Sequence, residues 1–273
     1  MTRLTEQDID GLGATWTDYE RRLSALSGYS LIELAAQALG LETTIGRAIP
    51  GLTVGVVPVS SGEGLIGGFA ESLASIAGHL GFAVRILPQD EAGFRAAKNG
   101  ACDLFLWADD ETFLAENVRS GTICENGQAT GRGFATALMR MAERTTSVRE
   151  DRRALVLGAG PVGRNGAAAL VSAGYRVTLC DLDLEKARAV SQNIPCQPCG
   201  PGDLDAMPPF PCLLDAAPTN NCFPVHRLQP EACIAAPCVP CLWGSCAPER
   251  AAVWHDPLQL GTAVMLLGAA FLP

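Results

Sequence analysis

The residues with the clearest chemical signature form a glycine-rich turn, Gly158 to Gly163, with the spacing G-x-G-x-x-G. In this spacing the first glycine permits a tight turn, the second lets a pyrophosphate approach the backbone, and the third lets a helix pack against a strand. The free amides and positive dipole end of the following helix attract phosphate. Pro161 is compatible with the first helical turn because that amide has no intrahelical partner. The predicted dinucleotide contacts in this turn are Gly158, Gly160, Pro161, Val162 and Gly163.

The elements that must position this turn can be read on both sides of it. Arg153–Leu157 is a short apolar run typical of a buried parallel strand, and a helix is predicted from about Val162 to Ala173. Tyr175–Cys180 is predicted to be a second strand, with Asp181 at its carboxyl end. An acid there can accept both ribose hydroxyls and repels a 2′-phosphate, so NAD is the predicted cofactor. The alternative is a glycine-rich turn without a ligand, which the ordered succession of strand, turn, helix, strand and acid disfavours.

Composition limits the class of protein. The chain has 273 residues, 48% of them hydrophobic and 18% charged, which indicates a globular protein large enough for two domains. The net charge of −9 disfavours nucleic acid as a partner and suits a small cationic substrate. The N-terminal residues lack the apolar core of a signal peptide, and Leu258–Leu272 is too short to span a bilayer. A cytoplasmic protein that does not bind membranes is therefore expected, and a homodimer is left open.

Cysteine is unusually frequent, with 11 residues in the chain. Two groups have ligand-like spacing, Cys196-x-x-Cys199 and Cys238-x-x-Cys241-x4-Cys246. One interpretation is a zinc or iron–sulfur site or a redox pair. The other is that cysteine replaces small apolar residues in buried strands and stays reduced. The second interpretation is favoured, and no metal site is predicted.

Strands alternating with helices predict an α/β fold with two domains. Residues 1–148 are predicted to form a small α/β domain with a helical N-terminus and a parallel sheet, which supplies the substrate side. Residues 149–273 are predicted to form a Rossmann dinucleotide-binding domain with a closing C-terminal helix. The predicted strands of the first domain are Leu52–Val59, Phe82–Leu87 and Cys102–Ala108, and those of the second, beyond the two already named, are Cys212–Ala216, Ala232–Ala236 and Val253–His255.

The segments between these strands are predicted as follows. Ser120–Gly131 is expected to be a polar loop, and a helix follows from about Gly133 to Thr145. Pro195–Pro211, which is rich in proline, is expected to be mostly loop. Thr262–Phe271 is apolar on all faces, so this closing helix is expected to be buried between the two domains.

Ligands of open α/β sheets bind beyond the carboxyl ends of the strands. Four loops are therefore predicted to line one cleft: Ser60–Gly64, Asp109–Glu111, Ala217–Asn221 and Asp256–Leu258. Asp109 and Asp256 are the acids most favoured for a chemical role. Only two lysines occur, Lys98 and Lys186, and Lys98 has an ordinary capping position in the last turn of a predicted helix. This scarcity of lysine argues against an enzyme that works through a Lys–Asp pair.

Four segments at matching spacing resemble the pyrrolysine synthase (PylD) family over most of the chain. They are VGVVPVSSGEGLIGGF (54–69), NGACDLFLWADDETFLAEN (99–117), LVLGAGPVG (155–163) and DPLQLGTAVML (256–266). In that family an NAD-dependent enzyme oxidises the terminal ornithyl amine carbon of L-lysine-Nε-3R-methyl-D-ornithine. Ammonia leaves, and the remaining amine closes onto that carbon to form the pyrroline ring of pyrrolysine. The resemblance implies the same activity here, with a cationic amino-acid substrate and no metal.

The resemblance also implies roles for individual residues. Ser61, Asp109 and Asn126 match polar active-site positions, and an N-terminal helix carrying Leu4 and Ile9 is expected to close over the substrate. Asp256 stands where the family has glutamate, one methylene longer. The predicted catalytic residues are Asp109, Asn126 and Asp256. The predicted substrate-binding residues are Leu4, Ile9, Ser61 and Glu63. Beyond the glycine turn, the predicted cofactor-binding residues are Asp181, Ala217, Pro218, Pro237 and Leu258.

The chemistry is consistent with these residue types. Hydride leaves a carbon next to nitrogen only when that nitrogen is neutral, so a carboxylate or a held water must first accept a proton. Two other functions remain open from the residues alone. One is a two-domain dehydrogenase acting on an alcohol or a one-carbon pterin, and the other is a non-catalytic protein that senses NAD.

Overall fold

The computed structural model describes residues 4–9, 15–62, 64–218 and 225–273. Its contacts divide the chain into two compact units. The first unit comprises Met1–Arg21, Ser30–Ala129 and Pro257–Pro273, and the second comprises Arg22–Tyr29 and Thr130–Asp256. In the described part of the chain, no helix has the length and apolar character needed to cross a membrane.

Strands and helices alternate along most of the chain. The strands are β1 (Thr53–Val57), β2 (Ala83–Ile86), β3 (Leu104–Ala108), β4 (Phe113–Asn117), β5 (Ile123–Glu125), β6 (Arg153–Leu157), β7 (Arg176–Cys180), β8 (Gln197–Cys199), β9 (Phe210–Asp215), β10 (Leu228–Ala236) and β11 (Ala252–His255). The helices are α1 (Glu6–Ile9), α2 (Trp16–Ser27), α3 (Leu31–Ala38), α4 (Phe69–His79), α5 (Asp90–Ala96), α6 (Asn126–Arg144), α7 (Pro161–Ser172), α8 (Leu184–Ser191), α9 (Trp243–Cys246) and α10 (Gln259–Phe271). Short 3-10 segments lie at Thr43–Ala48, Pro201–Ala206 and Val225–Arg227.

The first unit is built on a five-stranded sheet with strand order β2-β1-β3-β4-β5. β1 pairs in parallel with β2 and β3, which follow it through the helical connections that parallel strands require. β3, β4 and β5 pair antiparallel because only short turns separate them. Residues of β1 and β3 are mostly buried, which explains why both strands are continuous apolar runs in the sequence.

The C-terminal helix α10 belongs to the first unit. Its residues from Gln259 to Ala269 are all buried, and it packs against α3, α4, β4 and β5. Asn117 Nδ2 donates to the carbonyl of Ala269 at 3.1 Å, so β4 binds a backbone oxygen of the last helical turn. A helix that is apolar on every side is stable here because strands and helices of the same unit cover it.

The second unit is built on a six-stranded sheet in which all strands are parallel. Its strand order, β11-β10-β9-β6-β7-β8, is the 3-2-1-4-5-6 order of dinucleotide-binding folds read from the other edge. The order reverses between β6 and β9, and ligands of such sheets bind at this switch point. The predicted α/β class and the Rossmann sheet are confirmed.

Several predicted boundaries differ from the structure. The predicted polar loop Ser120–Gly131 is wrong, because this segment contains β5 and the first residues of α6. The parallel sheet expected in the first unit is mixed, since β4 and β5 are antiparallel. The proline-rich segment expected to be mostly loop contains the edge strand β8.

The two units also differ from the predicted division at residue 148. The chain passes from the first unit to the second between Ala129 and Thr130. This boundary lies inside α6, which is one continuous helix from Asn126 to Arg144. The sequence predicts the closing helix as part of the Rossmann domain, whereas the contacts of α10 place it in the first unit.

Candidate functional site

The glycine turn of the second unit joins β6 to α7. Gly158 has φ +90°, a left-handed conformation that favours glycine. A Cβ atom at Gly158 would lie 3.0 Å from the carbonyl oxygen of Ala216, so the turn packs closely against the backbone that follows β9. This contact places the turn at the switch point of the sheet, beside the predicted cofactor residue Ala217.

The other two glycines of the motif have opposite surroundings. A Cβ atom at Gly163 would lie 1.8 Å from the carbonyl oxygen of Gly158, so only glycine lets α7 pack this closely on the turn. At Gly160, the N-cap of α7, no atom of the described residues apart from its two chain neighbours lies within 4 Å of an added Cβ, and φ is an ordinary −70°. Gly163 is therefore needed for folding, while the space at Gly160 leaves the backbone open to a ligand.

The N-terminus of α7 presents amides towards that space. The first intrahelical hydrogen bond after Pro161 is donated by Arg164 to the carbonyl of Gly160 at 2.9 Å. The amides of Val162 and Gly163 precede it, and such amides have no partner within the helix. Amides of this kind, together with the helix dipole, bind phosphate groups.

Asp181 follows β7, and its carboxylate holds the glycine turn. Its Oδ2 accepts a hydrogen bond from the amide of Ala159 at 2.6 Å, and its Oδ1 accepts one from the amide of Asp183 at 2.9 Å. The side chain of Leu182 is 78% exposed and offers no positive charge. Asp181 therefore lies beside the backbone that would bind a pyrophosphate, where the sequence predicted it.

The ends of β9 and β10 supply the remaining predicted cofactor residues of this unit. Ala217 donates its amide to Asp215 Oδ1 at 3.2 Å, and Trp243 Nε1 donates to Asp215 Oδ2 at 2.6 Å. Burial raises the pKa of Asp215 despite these two hydrogen bonds. Pro218 is exposed, and Pro237 directly follows β10 and is half-buried. Of the loop predicted at Ala217–Asn221, the residues from 219 onward lie outside those described.

In the first unit, Asp109 follows β3 directly. Its Oδ1 accepts hydrogen bonds from the amides of Glu111 at 2.9 Å and Thr112 at 2.6 Å. The carbonyl of Thr112 accepts from the amide of Asp109 at 2.8 Å, which closes the turn. The side chain thus fixes its own loop through one carboxylate oxygen, a structural role that the sequence did not reveal.

The loop after β1 meets the loop after β3. Ser60 donates its amide and its hydroxyl to Asp90 at 2.8 and 2.7 Å, and a Cβ atom at Gly62 would lie 1.8 Å from Asp110 Oδ2. Ser61 lies exposed between these contacts. The structure therefore brings Ser61 and the loop of Asp109 to the same end of the first sheet. Glu63 lies outside the described residues.

Asn126 is the first residue of α6 and immediately follows β5. Asn126 was predicted to lie in a loop, but it lies at the N-terminus of a helix. It is half-buried, and its side chain belongs to the same unit as Asp109.

Of the two residues predicted to cover the substrate, Ile9 is the last residue of the short helix α1, and Leu4 lies just before this helix. Thr5 and Asp8 form a hydrogen-bonded N-terminal cap, in which Asp8 Oδ2 accepts from the amide of Thr5 at 2.7 Å. Ile9 is buried, and Leu4 is half-buried. Glu6 Oε1 accepts from the amide of Gly67 at 3.2 Å, which attaches α1 to the segment just before α4. Nothing in the sequence distinguished Glu6 from other surface acids.

The two predicted residues near the C-terminus fall in different units. Asp256 ends the second unit and is only 3% exposed, which is unusual for a carboxylate. Leu258 is buried in the first unit and is the N-cap of α10.

Cysteines give no sign of a metal centre in the part of the chain that the structure describes. Its ten cysteines carry free thiols, and no group of three or more potential ligands could hold a metal ion. The absence of a metal remains a prediction.

Comparison with known proteins supports a family assignment. A model of the N-terminal domain of the pyrrolysine biosynthesis protein PylD matches residues 8–124. The pyrrolysine synthase of Methanosarcina acetivorans is 30% identical over 273 residues, covering 97% of this chain and 98% of that protein. The pyrrolysine synthase of Methanosarcina barkeri is 34% identical, covering 97% of each. The chain belongs to the pyrrolysine synthase family. The family resemblance seen in the sequence is thereby confirmed.

Solved structures support the fold of this member of the pyrrolysine synthase family. Quinate dehydrogenase from Corynebacterium glutamicum, in complex with NAD, matches with a TM-score of 0.51 at 13% identity, covering 82% of this chain and 95% of that one. Shikimate 5-dehydrogenase from Thermus thermophilus, in complex with NADP(H) and shikimate, matches with a TM-score of 0.51 at 17% identity, covering 81% of this chain and 95% of that one. At these identities the similarity concerns the fold alone.

Proposed function

We propose that this protein is an NAD-dependent dehydrogenase that oxidises the terminal amine carbon of L-lysine-Nε-3R-methyl-D-ornithine and yields pyrrolysine. The observation that carries the proposal is the open backbone at Gly160, with Asp181 bound to the adjacent amide of Ala159. This arrangement suits a dinucleotide pyrophosphate and ribose. Its occurrence in a member of the pyrrolysine synthase family supports the substrate.

The residues fit NAD better than NADP. The carboxylate of Asp181 can accept ribose hydroxyls, and its charge disfavours a 2′-phosphate. The two residues after it, Leu182 and Asp183, provide no cation that could neutralise such a phosphate. When bound, NAD supplies the hydride acceptor, and the protein supplies position and electrostatics.

The substrate-side residues are proposed to prepare the amine. Asp109 stands at the end of the apolar strand β3, with one carboxylate oxygen fixed by its turn. A carboxylate held in this way can take a proton from the substrate ammonium, so that the nitrogen lone pair assists departure of hydride. Asn126 can orient the amine or the released ammonia without changing its own charge. Asp256 is the alternative proton acceptor.

The reaction balances without a metal. The amine carbon loses hydride to NAD and becomes an imine, the second ornithyl amine adds to that carbon, and ammonia leaves as the ring carbon–nitrogen double bond forms. Each turnover consumes one NAD and releases one ammonia. The net negative charge of the protein is compatible with a substrate that carries several amines.

The test is a coupled measurement on the purified protein. The protein is mixed with NAD and L-lysine-Nε-3R-methyl-D-ornithine. NADH is followed by absorbance, ammonia is assayed enzymatically, and the product is identified by mass spectrometry. The proposal expects equal amounts of NADH, ammonia and pyrrolysine. NADH formation with an alcohol or pterin substrate but not with this amine would support the other dehydrogenase. NAD binding without turnover of any substrate would support a sensing protein.

A further inference from the structure

A cluster of thiol, imidazole and carboxylate side chains lies at the carboxyl ends of β9, β10 and β11 in the second unit. Cys238 and Cys241 follow β10, and His255 is the last residue of β11. The parallel register pairs Ala236 with His255, so the imidazole lies beside the end of β10. None of these side chains has a part in the reaction proposed above.

The hydrogen bonds of the cluster define its chemistry. His255 Nδ1 lies 2.7 Å from the carbonyl oxygen of Ala236. A carbonyl can only accept, so Nδ1 carries a proton. The imidazole is also hydrogen-bonded to Cys241, and Cys241 is hydrogen-bonded to Cys238. Cys238 also contacts the buried carboxylate of Asp215.

These contacts give the two thiols opposite properties. The hydrogen bond from Cys238 and the contact with His255 lower the pKa of Cys241, against the opposing effect of burial. Donation of that hydrogen bond, burial and the charge of Asp215 raise the pKa of Cys238. Burial disfavours the charged form of His255, yet its contacts with Cys241 and with the carbonyl of Ala236, and the charge of Asp256, leave its pKa raised. These contacts favour the thiolate form at Cys241 and the thiol form at Cys238.

The other cysteines have different surroundings. Cys180 and Cys199 are paired across β7 and β8, but both are buried. Cys196 is half-buried, like Cys241, but burial raises its pKa and no imidazole contacts it. Cys196 is therefore a matched control: its thiol is about as accessible as that of Cys241, but its pKa is not lowered.

We propose that Cys238 and Cys241 form a reversible dithiol–disulfide site, in which Cys241 attacks small-molecule disulfides and Cys238 resolves the product. In the first step Cys241 Sγ bonds to one sulfur of the small disulfide, the sulfur–sulfur bond breaks, and the departing thiolate takes the proton of His255. In the second step Cys238 gives its proton to Asp215 and attacks Cys241 Sγ, and the second small thiolate leaves. The two cysteines are oxidised by two electrons, and the small disulfide is reduced to two thiols.

The site lies next to residues predicted to contact the cofactor. Cys238 directly follows Pro237, and Asp215 accepts a hydrogen bond from the amide of Ala217. A disulfide between Cys238 and Cys241 restrains this segment and removes the thiolate. Disulfide formation is therefore expected to change NAD affinity, an effect that rests on the proposed function, whereas the thiol chemistry does not.

The first test needs no variant. The reduced protein is pulsed with iodoacetamide at about pH 6, and the alkylation rate of each cysteine is measured by peptide mass spectrometry. An ordinary thiol is less than about 1% ionised at that pH. Cys241 should react at least about 10-fold faster than Cys196, since its larger thiolate fraction outweighs its lower nucleophilicity. Equal rates would overturn the proposal.

The second test identifies the product with oxidised glutathione as the probe. The unmodified protein should form an intramolecular Cys238–Cys241 disulfide that dithiothreitol reverses. Cys238→Ser should trap glutathione on Cys241, and Cys196→Ser should behave like the unmodified protein. Glutathione on Cys196 or on no cysteine in the Cys238→Ser variant would contradict the assignment.

NAD affinity of the reduced and oxidised protein is then compared by calorimetry. A change of at least about threefold that dithiothreitol reverses supports a functional coupling, and an unchanged affinity would overturn the coupling. If the disulfide forms but neither the reduced nor the oxidised protein binds NAD, the proposed dehydrogenase activity is refuted, whereas the proposed dithiol–disulfide site is supported.

Discussion

Replacing Gly163 with alanine tests the packing that forms the glycine turn. The added Cβ would lie 1.8 Å from the carbonyl oxygen and 2.9 Å from the carbonyl carbon of Gly158. Both are backbone atoms, so α7 and the turn must move apart by more than about 1 Å, roughly the shortfall from an ordinary contact. Overpacking of this kind costs about 1–3 kcal/mol. For a unit of this size the Tm should fall by roughly 3–15 °C.

The matched control is Gly160→Ala in the same turn. Apart from its two chain neighbours, its Cβ meets no atom of the described residues within 4 Å, and its φ of −70° is suitable for alanine. This variant should keep its Tm within about 2 °C. The methyl group would fill the space proposed for the pyrophosphate, so its Kd for NAD should rise at least tenfold, about 1.4 kcal/mol. Calorimetric unfolding and NAD titration measure both effects. An unchanged Tm for Gly163→Ala, or unchanged NAD binding by Gly160→Ala, would refute this reasoning.

Four further changes address other predicted residues. Asp181→Ala should weaken NAD binding in a titration, and equal or better use of NADP by the unmodified protein would overturn the cofactor assignment. Deleting residues 1–12 should raise KM and lower kcat while NAD still binds. The reason is that α1 is attached near α4 through Glu6 and is expected to cover the substrate. Loss of folding in this variant would show that α1 is structural. Asp109→Asn should keep NAD affinity and lower kcat by about 10²–10⁴, with a milder loss for Asn126→Ala. A near-normal rate for Asp109→Asn would make Asp256 the next candidate for the proton acceptor.

The dinucleotide-binding part of the fold could be predicted because its signals are local. The strand before the glycine turn, the helix after it and the second strand follow each other within one stretch of sequence. The structure ends β6 at Leu157 and begins α7 at Pro161, close to the predicted limits. Capping at Ser30 is equally local, because Glu33, three residues later, accepts a hydrogen bond from the amide of Ser30 at 2.9 Å.

The missed elements depend on partners that are distant in sequence or on weak local signals. β4 is polar at its end and is stabilised by pairing with β3, and β5 has only three residues and is stabilised by pairing with β4. β8 contains Pro198, which is tolerated because β8 is an edge strand. The uniform apolar surface of α10 predicts burial, but not which neighbours bury it.

The candidate site shows the same limit. The positions of the glycines in the turn after β6 and of Asp181 after β7 could be predicted because they follow from the local spacing of the sequence. The lowered pKa of Cys241 could not be predicted, because it depends on the contact with Cys238 and on His255, which the pairing of β10 with β11 brings to the end of β10. The Cys-x-x-Cys spacing is visible in the sequence, but it does not show whether either thiol is activated.

Transfer of hydrogen from the amine carbon to NAD is the central claim. The most direct test uses substrate carrying two deuterium atoms on the terminal ornithyl carbon, with the unmodified protein and NAD, followed by mass spectrometry of both products. The account predicts one deuterium in NADH and one retained on the ring carbon of pyrrolysine, with ammonia released in equal amount. Unlabelled NADH, or pyrrolysine that keeps both deuterium atoms, would contradict it.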